Sequence, residues 1–85
     1  MIIRSQDKKS ITTDLNINIY ADDEEKGFEL INKSLTYLGT YSTEEKAIKV
    51  LDMICNFYAE HLEELKCDEP PFVRAFFTMP QDSEV

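Results

Sequence analysis

The feature that most constrains the fold is a set of apolar residues that recur every three or four positions between residues 47 and 65. That spacing places their side chains along one face of an α-helix. The stripe consists of Ala47, Val50, Leu51, Ile54, Tyr58, Leu62 and Leu65. Ser42 and Glu45, just before the stripe, match a capping box, so the helix is predicted to begin at Ser42. Pro70 and Pro71 cannot continue a helix, which limits it to about residues 43–66.

The residues before this helix have the character of short strands. Residues 15–20 alternate apolar and polar side chains, and residues 2–3, 28–31 and 35–41 are rich in strand formers. Residues 72–79 form a last apolar segment, suited to a central strand. We therefore expect an α+β fold, in which an antiparallel sheet of about four to five strands is covered by one long helix. Residues 1–85 make a single domain, with short strands in 1–41, the final strand over 72–79 and a polar tail over 80–85.

The charge of the chain narrows the classes of partner. The net charge is −8, and residues 50–85 hold eight acidic but only two basic residues. Nucleic acids and anionic membranes attract basic proteins, so neither is an expected direct partner. No apolar run approaches the roughly 20 residues of a membrane-spanning helix, and no signal peptide is apparent. A cytoplasmic location is expected, because the two cysteines are too few for a disulfide framework.

Two acidic clusters are the candidate partner-binding residues. One precedes Lys26, and the other surrounds the predicted C-terminal end of the helix, where the helix dipole disfavours negative charge. Because this placement brings no evident structural gain, it favours an interaction surface, although solvated acidic residues that only maintain solubility remain the alternative. The clusters are Asp22, Asp23, Glu24 and Glu25, and Glu60, Glu63, Glu64, Asp68 and Glu69.

The candidate chemistry is limited. Neither a glycine-rich phosphate loop nor a nucleophile motif occurs, and Cys55 and His61 would point apart on a helix, so we expect no catalysis. His61, Glu64, Cys67 and Asp68 are of the residue types that bind Zn²⁺, but their spacing matches no recognised zinc motif. A histidine paired with a carboxylate is the alternative, and no cofactor is expected to be required.

Three segments carry a resemblance to a group of known proteins. MIIRSQDKK, LGTYSTEEKAIKVLDMI and FTMPQDSEV look like small proteins from prophages and mobile elements of Gram-positive bacteria. In size, acidity and phage-like character the chain is also similar to type II anti-CRISPR proteins. Those proteins bind an RNA-guided nuclease and block its DNA handling, but they share no motif from which residue roles could be transferred.

The resemblance and the charge together predict a non-enzymatic, phage-type inhibitor in the cytoplasm of the bacterial host. Its partner would be a host protein with a basic surface that handles nucleic acid, with a type II CRISPR nuclease as the first candidate. Such a nuclease holds its guide–target duplex in a positively charged channel. The alternative is a small phage accessory or regulatory interaction protein, with or without a structural zinc site.

Overall fold

The computed structural model describes residues 1–22, 27–61 and 76–85. In these ranges the chain forms six strands and one α-helix. They are β1 (Ile2–Arg4), β2 (Ile11–Thr12), β3 (Ile17–Asp22), β4 (Gly27–Asn32), β5 (Tyr37–Tyr41), α1 (Glu44–Glu60) and β6 (Phe76–Thr78). The expected α+β class is confirmed. The expected single sheet of four to five strands is wrong, because the strands form two sheets of three.

The first sheet joins the two ends of the chain. Its order is β2-β1-β6, with β1 antiparallel to β2 and parallel to β6. The predicted central position of the last strand is therefore wrong, since β1 lies in the centre. Of the predicted strand 72–79, residues 72–75 lie outside the described residues. A parallel pairing between segments more than 70 residues apart leaves no local signature in the sequence, which explains why the prediction placed this strand wrongly.

The second sheet is an antiparallel meander of order β3-β4-β5. Its register is irregular at one point, where Leu30 pairs with Gly39 but the next residue, Ile31, pairs with Tyr37. Leu38 is the extra residue of this β-bulge, and it is completely buried in the core. A Cβ atom on Gly39 would lie 3.1 Å from Cβ of Gln6, so the backbone of β5 packs closely against Gln6 at this glycine.

Helix α1 begins one residue later than the capping pattern predicted. Thr43 is the N-cap, and its hydroxyl accepts a hydrogen bond from the Lys46 amide at 3.1 Å. The Ser42 amide instead donates to the Asp82 carboxylate at 2.8 Å, which holds Ser42 outside the helix. At the other end α1 stops at Glu60, with His61 as the C-cap, whereas the prediction extended to about residue 66. Residues 62–66 lie outside the described residues.

The core lies between α1 and both sheets. Its buried members are Ile3, Leu30, Leu38, Tyr41, Ala47, Val50, Ile54, Phe77 and Met79. From the predicted stripe, Ala47, Val50 and Ile54 are buried and Leu51 packs against them, but Tyr58 is exposed. Phe57 takes the place expected for Tyr58, because its ring meets Phe77 edge-on at 5.5 Å across to β6. Leu62 and Leu65 lie outside the described residues.

Gln6 connects the two sheets to the C-terminal segment. Its amide donates to the Leu38 carbonyl at 2.6 Å, and its side chain donates to the carbonyls of Thr40 and Pro80 at 3.1 and 3.2 Å. Its side-chain oxygen accepts from the Thr40 amide at 3.0 Å, and its carbonyl accepts from the Gln81 side chain at 2.8 Å. We call this cluster the Gln6 junction.

The expected polar tail is an ordered part of the fold. Residues Asp82–Glu84 form a 3₁₀ turn, and Val85 packs against the core. Asp82 also pairs with Lys46 of α1, at 3.4 Å between the carboxylate oxygen and Nζ. In the part of the chain that the structure describes, no helix is long and apolar enough to span a membrane.

Candidate functional site

Most of the predicted acidic contact residues lie outside the described residues. This applies to Asp23, Glu24 and Glu25 between β3 and β4, and to Glu63, Glu64, Asp68 and Glu69 after α1. Asp22 ends β3 and is half-buried, and Glu60 is exposed at the last position of α1. The two belong to different elements, so the idea of an acidic contact surface stays a prediction.

The predicted zinc site has a single described donor, His61. Its Nδ1 lies 2.8 Å from the Phe57 carbonyl oxygen, and its ring stacks on the Phe57 ring with 4.1 Å between centroids. Glu64, Cys67 and Asp68 lie outside the described residues. Cys55, on α1, is exposed. Among residues 1–22, 27–61 and 76–85, no group of three potential ligands is close enough to hold a metal ion.

The outer face of the second sheet, turned away from the core, carries exposed tyrosines. Cross-strand partners share a face of a sheet, so the register defines two rows on this side. One row is Tyr20, Glu29 and Thr40, and the other is Asn18, Ile31 and Tyr37. Tyr20 is 51% exposed and Tyr37 is 38% exposed. We call these six residues the tyrosine face.

The β-bulge shapes the tyrosine face. Because Leu38 and Gly39 both turn toward the core, Tyr37 and Thr40 lie on the same outer side although they are three positions apart. The Tyr37 and Thr40 hydroxyls confirm this by sharing a hydrogen bond of 2.6 Å. Strict alternation along 35–41 would have placed these residues on opposite sides, so only recognition of a bulge at Gly39 could have revealed this surface from the sequence.

The outer face of the first sheet carries basic side chains, in contrast to the tyrosine face. Arg4 pairs with Ile11 on one side and with Thr78 on the other, so these three residues form a row across the sheet. Phe76 pairs with Ile2 and lies two residues before Thr78, on the same face. Together with the turn between β1 and β2, these residues line an open groove of about 470 Å³. We call it the basic groove, lined by Arg4, Lys8, Lys9, Ser10, Ile11, Phe76 and Thr78.

Hydrogen bonds within the turn between β1 and β2 support the basic groove. The buried Ser5 donates from its hydroxyl to the Asp7 carboxylate at 2.6 Å, and that carboxylate also accepts from the Lys9 amide at 2.9 Å. These bonds hold the pKa of Asp7 below its ordinary value of 3.8, the Ser5 hydroxyl being the larger cause. Arg4 donates twice to the Lys8 carbonyl, at 3.2 and 3.3 Å, so its guanidinium is held against the turn.

Of the other groups with a shifted pKa, Asp14 bonds to Ser34 and Asn16, and Asp82 and Tyr41 lie near the C-terminal segment. The Ser42 amide is the main reason that the pKa of Asp82 lies below its ordinary value of 3.8. Burial raises the pKa of Tyr41 well above its ordinary value of 10.0, and its hydroxyl donates to the Pro80 carbonyl at 2.7 Å. Both groups contact backbone atoms of the fold itself, so they serve the structure rather than a reaction.

Comparisons with known proteins give no family assignment. No family model, no curated protein and no solved structure matches this chain.

Proposed function

We propose that this chain is a non-enzymatic protein-binding domain that inhibits a basic, nucleic-acid-handling host protein. The tyrosine face is the observation that carries the proposal. Tyrosine combines a large apolar ring with a polar hydroxyl, and it is among the residues most often found as anchors in protein interfaces. On this sheet tyrosine is presented from two strands of the meander, β3 and β5, rather than from a loop.

The charge of the chain supports a basic partner. A net charge of −8 draws a positively charged surface toward the domain and raises the rate of association. Arginine and lysine side chains of such a surface also interact favourably with the faces of tyrosine rings. Glu29 lies in the same row as Tyr20, so the face combines aromatic and acidic groups that suit a cationic partner.

The first candidate target is a type II CRISPR nuclease in the host cytoplasm. Its positively charged nucleic-acid channel has the required surface, and blocking that channel needs no catalytic group on the inhibitor. The carboxylates of the acidic clusters would take the place of phosphates there. This choice of target depends on the resemblance to phage proteins, whereas the binding function depends on the tyrosine face and the charge.

A cleavage assay with purified nuclease and guide RNA tests the target. The wild-type chain should inhibit cleavage, and Tyr20→Ala with Tyr37→Ala should weaken inhibition at least tenfold, because interface anchors contribute about 2 kcal/mol or more. Tyr58→Ala is the matched control, since Tyr58 is exposed to a similar degree but lies on α1. Equal loss in the control would show that the tyrosine face is not the contact surface.

Charge reversal tests the acidic cluster separately. Changing Glu60, Glu63 and Glu64 to Lys should slow association and remove most of its dependence on salt. Glu44, Glu45 and Asp52, all within α1, changed to Lys give the same net charge at earlier positions of the chain. Equal effects of both triple variants would mean that only total charge matters, and wild-type protein that inhibits no type II nuclease would exclude this target.

A further inference from the structure

The basic groove carries chemistry that the proposed function does not use. Arg4, Lys8 and Lys9 bring three of the chain's nine basic residues to one concave surface of an acidic protein. Within the described residues, none of their side-chain nitrogens lies within 4.0 Å of a carboxylate oxygen. Asp7 lies in the same turn, and its carboxylate accepts hydrogen bonds from the Ser5 hydroxyl and the Lys9 amide. Among the described residues, Lys8 and Lys9 thus have no ion-pair partner, and the Arg4 guanidinium is held in place by the Lys8 carbonyl oxygen.

Lys8 occupies a backbone conformation that its residue type does not favour. Its φ is 65°, in the left-handed region where glycine and asparagine fit with less strain. Its amide donates to the Ser5 carbonyl at 2.9 Å, so the surrounding turn keeps this conformation in place. Glycine would adopt the same φ without strain, so the Lys8 side chain can be removed without disturbing this turn.

Apolar and hydroxyl groups complete the lining. The Phe76 ring is 59% exposed and Ile11 is 66% exposed, although both could have been polar on an outer sheet face. Ser10 and Thr78 add hydroxyl groups beside them. The groove therefore offers an aromatic surface, basic side chains and hydrogen-bonding groups, in a volume of about 470 Å³. Pockets for small molecules span roughly 300–1,000 Å³, so the volume suits a small ligand.

We propose that the basic groove binds a nucleoside monophosphate. The phosphate would lie against Arg4, Lys8 and Lys9, the base would stack on Phe76, and the sugar would face the hydroxyls of Ser10 and Thr78. Each part of this ligand has a matching group on the lining. A nucleic-acid polymer fits less well, because its many phosphates would meet the net charge of −8 around the groove. A small ligand with one phosphate responds mainly to the nearby cations.

The test is an NMR titration of the ¹⁵N-labelled full chain with AMP. Amide shifts should appear at Lys8, Ser10 and Thr78 and should saturate, and they should weaken as salt rises. Adenosine and inorganic phosphate, each lacking one half of the ligand, should bind at least about fivefold more weakly than AMP. Inorganic phosphate that binds as tightly as AMP would overturn the proposal, as would an acidic peptide that binds more tightly.

Two substitutions locate the ligand. Lys8→Gly should weaken AMP binding severalfold while the fold is kept or strengthened, since glycine adopts the same φ without strain. Leu35→Gly is the matched control, because Leu35 is the other left-handed residue, with φ 63°, and is 84% exposed. It should leave AMP binding unchanged.

Phe76→Ala should weaken AMP binding at least about fivefold through loss of stacking. Its matched control is Tyr58→Ala, which removes an exposed ring from α1. AMP affinity that survives both Lys8→Gly and Phe76→Ala would overturn the proposal. Inhibition of the protein partner should be unaffected by either substitution, so this proposal and the proposed function can fail independently.

Discussion

The Gln6 junction and the two outer faces differ in how their polar groups are used. At the junction, nearly every polar group of Gln6 bonds to main-chain atoms of β5 or of the C-terminal segment. On the outer faces, Tyr20, Phe76 and Ile11 are exposed, and Lys8 and Lys9 are free of ion pairs with other described residues. Stability should therefore depend on the junction and binding on the faces.

The three segments that carry the resemblance meet at the junction. Gln6 belongs to the first, Thr40 to the second and Pro80 to the third. The expected resemblance in these segments would therefore reflect the need to join two sheets and a helix, and it would say little about what the faces bind. The residues of the tyrosine face come mainly from β3 and β4, outside those segments.

The largest expected effect comes from removing the side chain at the centre of the junction. Gln6→Ala leaves the Thr40 amide without its partner and removes a donor from two carbonyls, which should cost about 3 kcal/mol in unfolding free energy. Gln81→Ala removes a single hydrogen bond to the Gln6 carbonyl and should cost about 1 kcal/mol. Urea denaturation measures both. Equal, small losses would contradict a central role for Gln6.

The helix cap gives a smaller effect and distinguishes two neighbouring residues. Thr43→Ala removes the hydroxyl that caps α1 by accepting a hydrogen bond from the Lys46 amide. It should lower the free energy of unfolding by about 1 kcal/mol. Ser42→Ala should cost less, because the contact of Ser42 with Asp82 through its amide remains. Thermal or urea unfolding of the two variants decides between them, and a larger loss in Ser42→Ala would restore the capping box expected from the sequence.

The helix shows how far sequence reasoning reaches and where it stops. The apolar stripe predicted α1 and most of its buried face, because helical periodicity is a local property. Whether Ser42 or Thr43 caps the helix depends on Asp82, which lies 40 positions away. The same limit applies to Phe57, which is drawn into the core by Phe77 of β6. Contacts between distant segments leave no trace in a local pattern.

The outer faces were less predictable than the helix for the same reason. The tyrosine face depends on a bulge at Leu38, and the basic groove depends on the pairing of β6 with β1. In the sequence, Lys8 and Lys9 belong to a polar segment without a distinctive pattern. Only the folded chain brings Phe76 and Thr78 beside them. The negative net charge is a property of the whole chain, and it gives no indication of a local cluster of basic residues.

Acid should weaken the attachment of the C-terminal segment to α1, which depends on Asp82. Asp82 has a pKa below 3.8 in the folded state, so its bonds to Ser42 and Lys46 stabilise the fold above that pH. This stability is lost as pH falls through the lowered pKa. Asp82→Asn should therefore reduce the free energy of unfolding at pH 7. It should also reduce the additional loss of stability on acidification, which urea midpoints at pH 7 and at acidic pH measure. Asp52→Asn, on the exposed side of α1, is the control and should behave like wild type.

The last prediction is that the protein does not bind nucleic acid. A gel shift with duplex DNA or RNA, at micromolar protein and physiological salt, should show no complex. At about 0.15 M salt the Debye length is about 8 Å, so a polymer crossing the basic groove also meets the negative charge beyond it. Lowering the salt lengthens the range of both attraction and repulsion, and the net charge of −8 then opposes binding more strongly. A polymer attracted mainly by Arg4, Lys8 and Lys9 would instead bind better at low salt. A shift that strengthens on dilution and disappears in Lys8→Gly would show that the local cations outweigh the net charge, and nucleic acid would then replace the mononucleotide as the ligand of the groove.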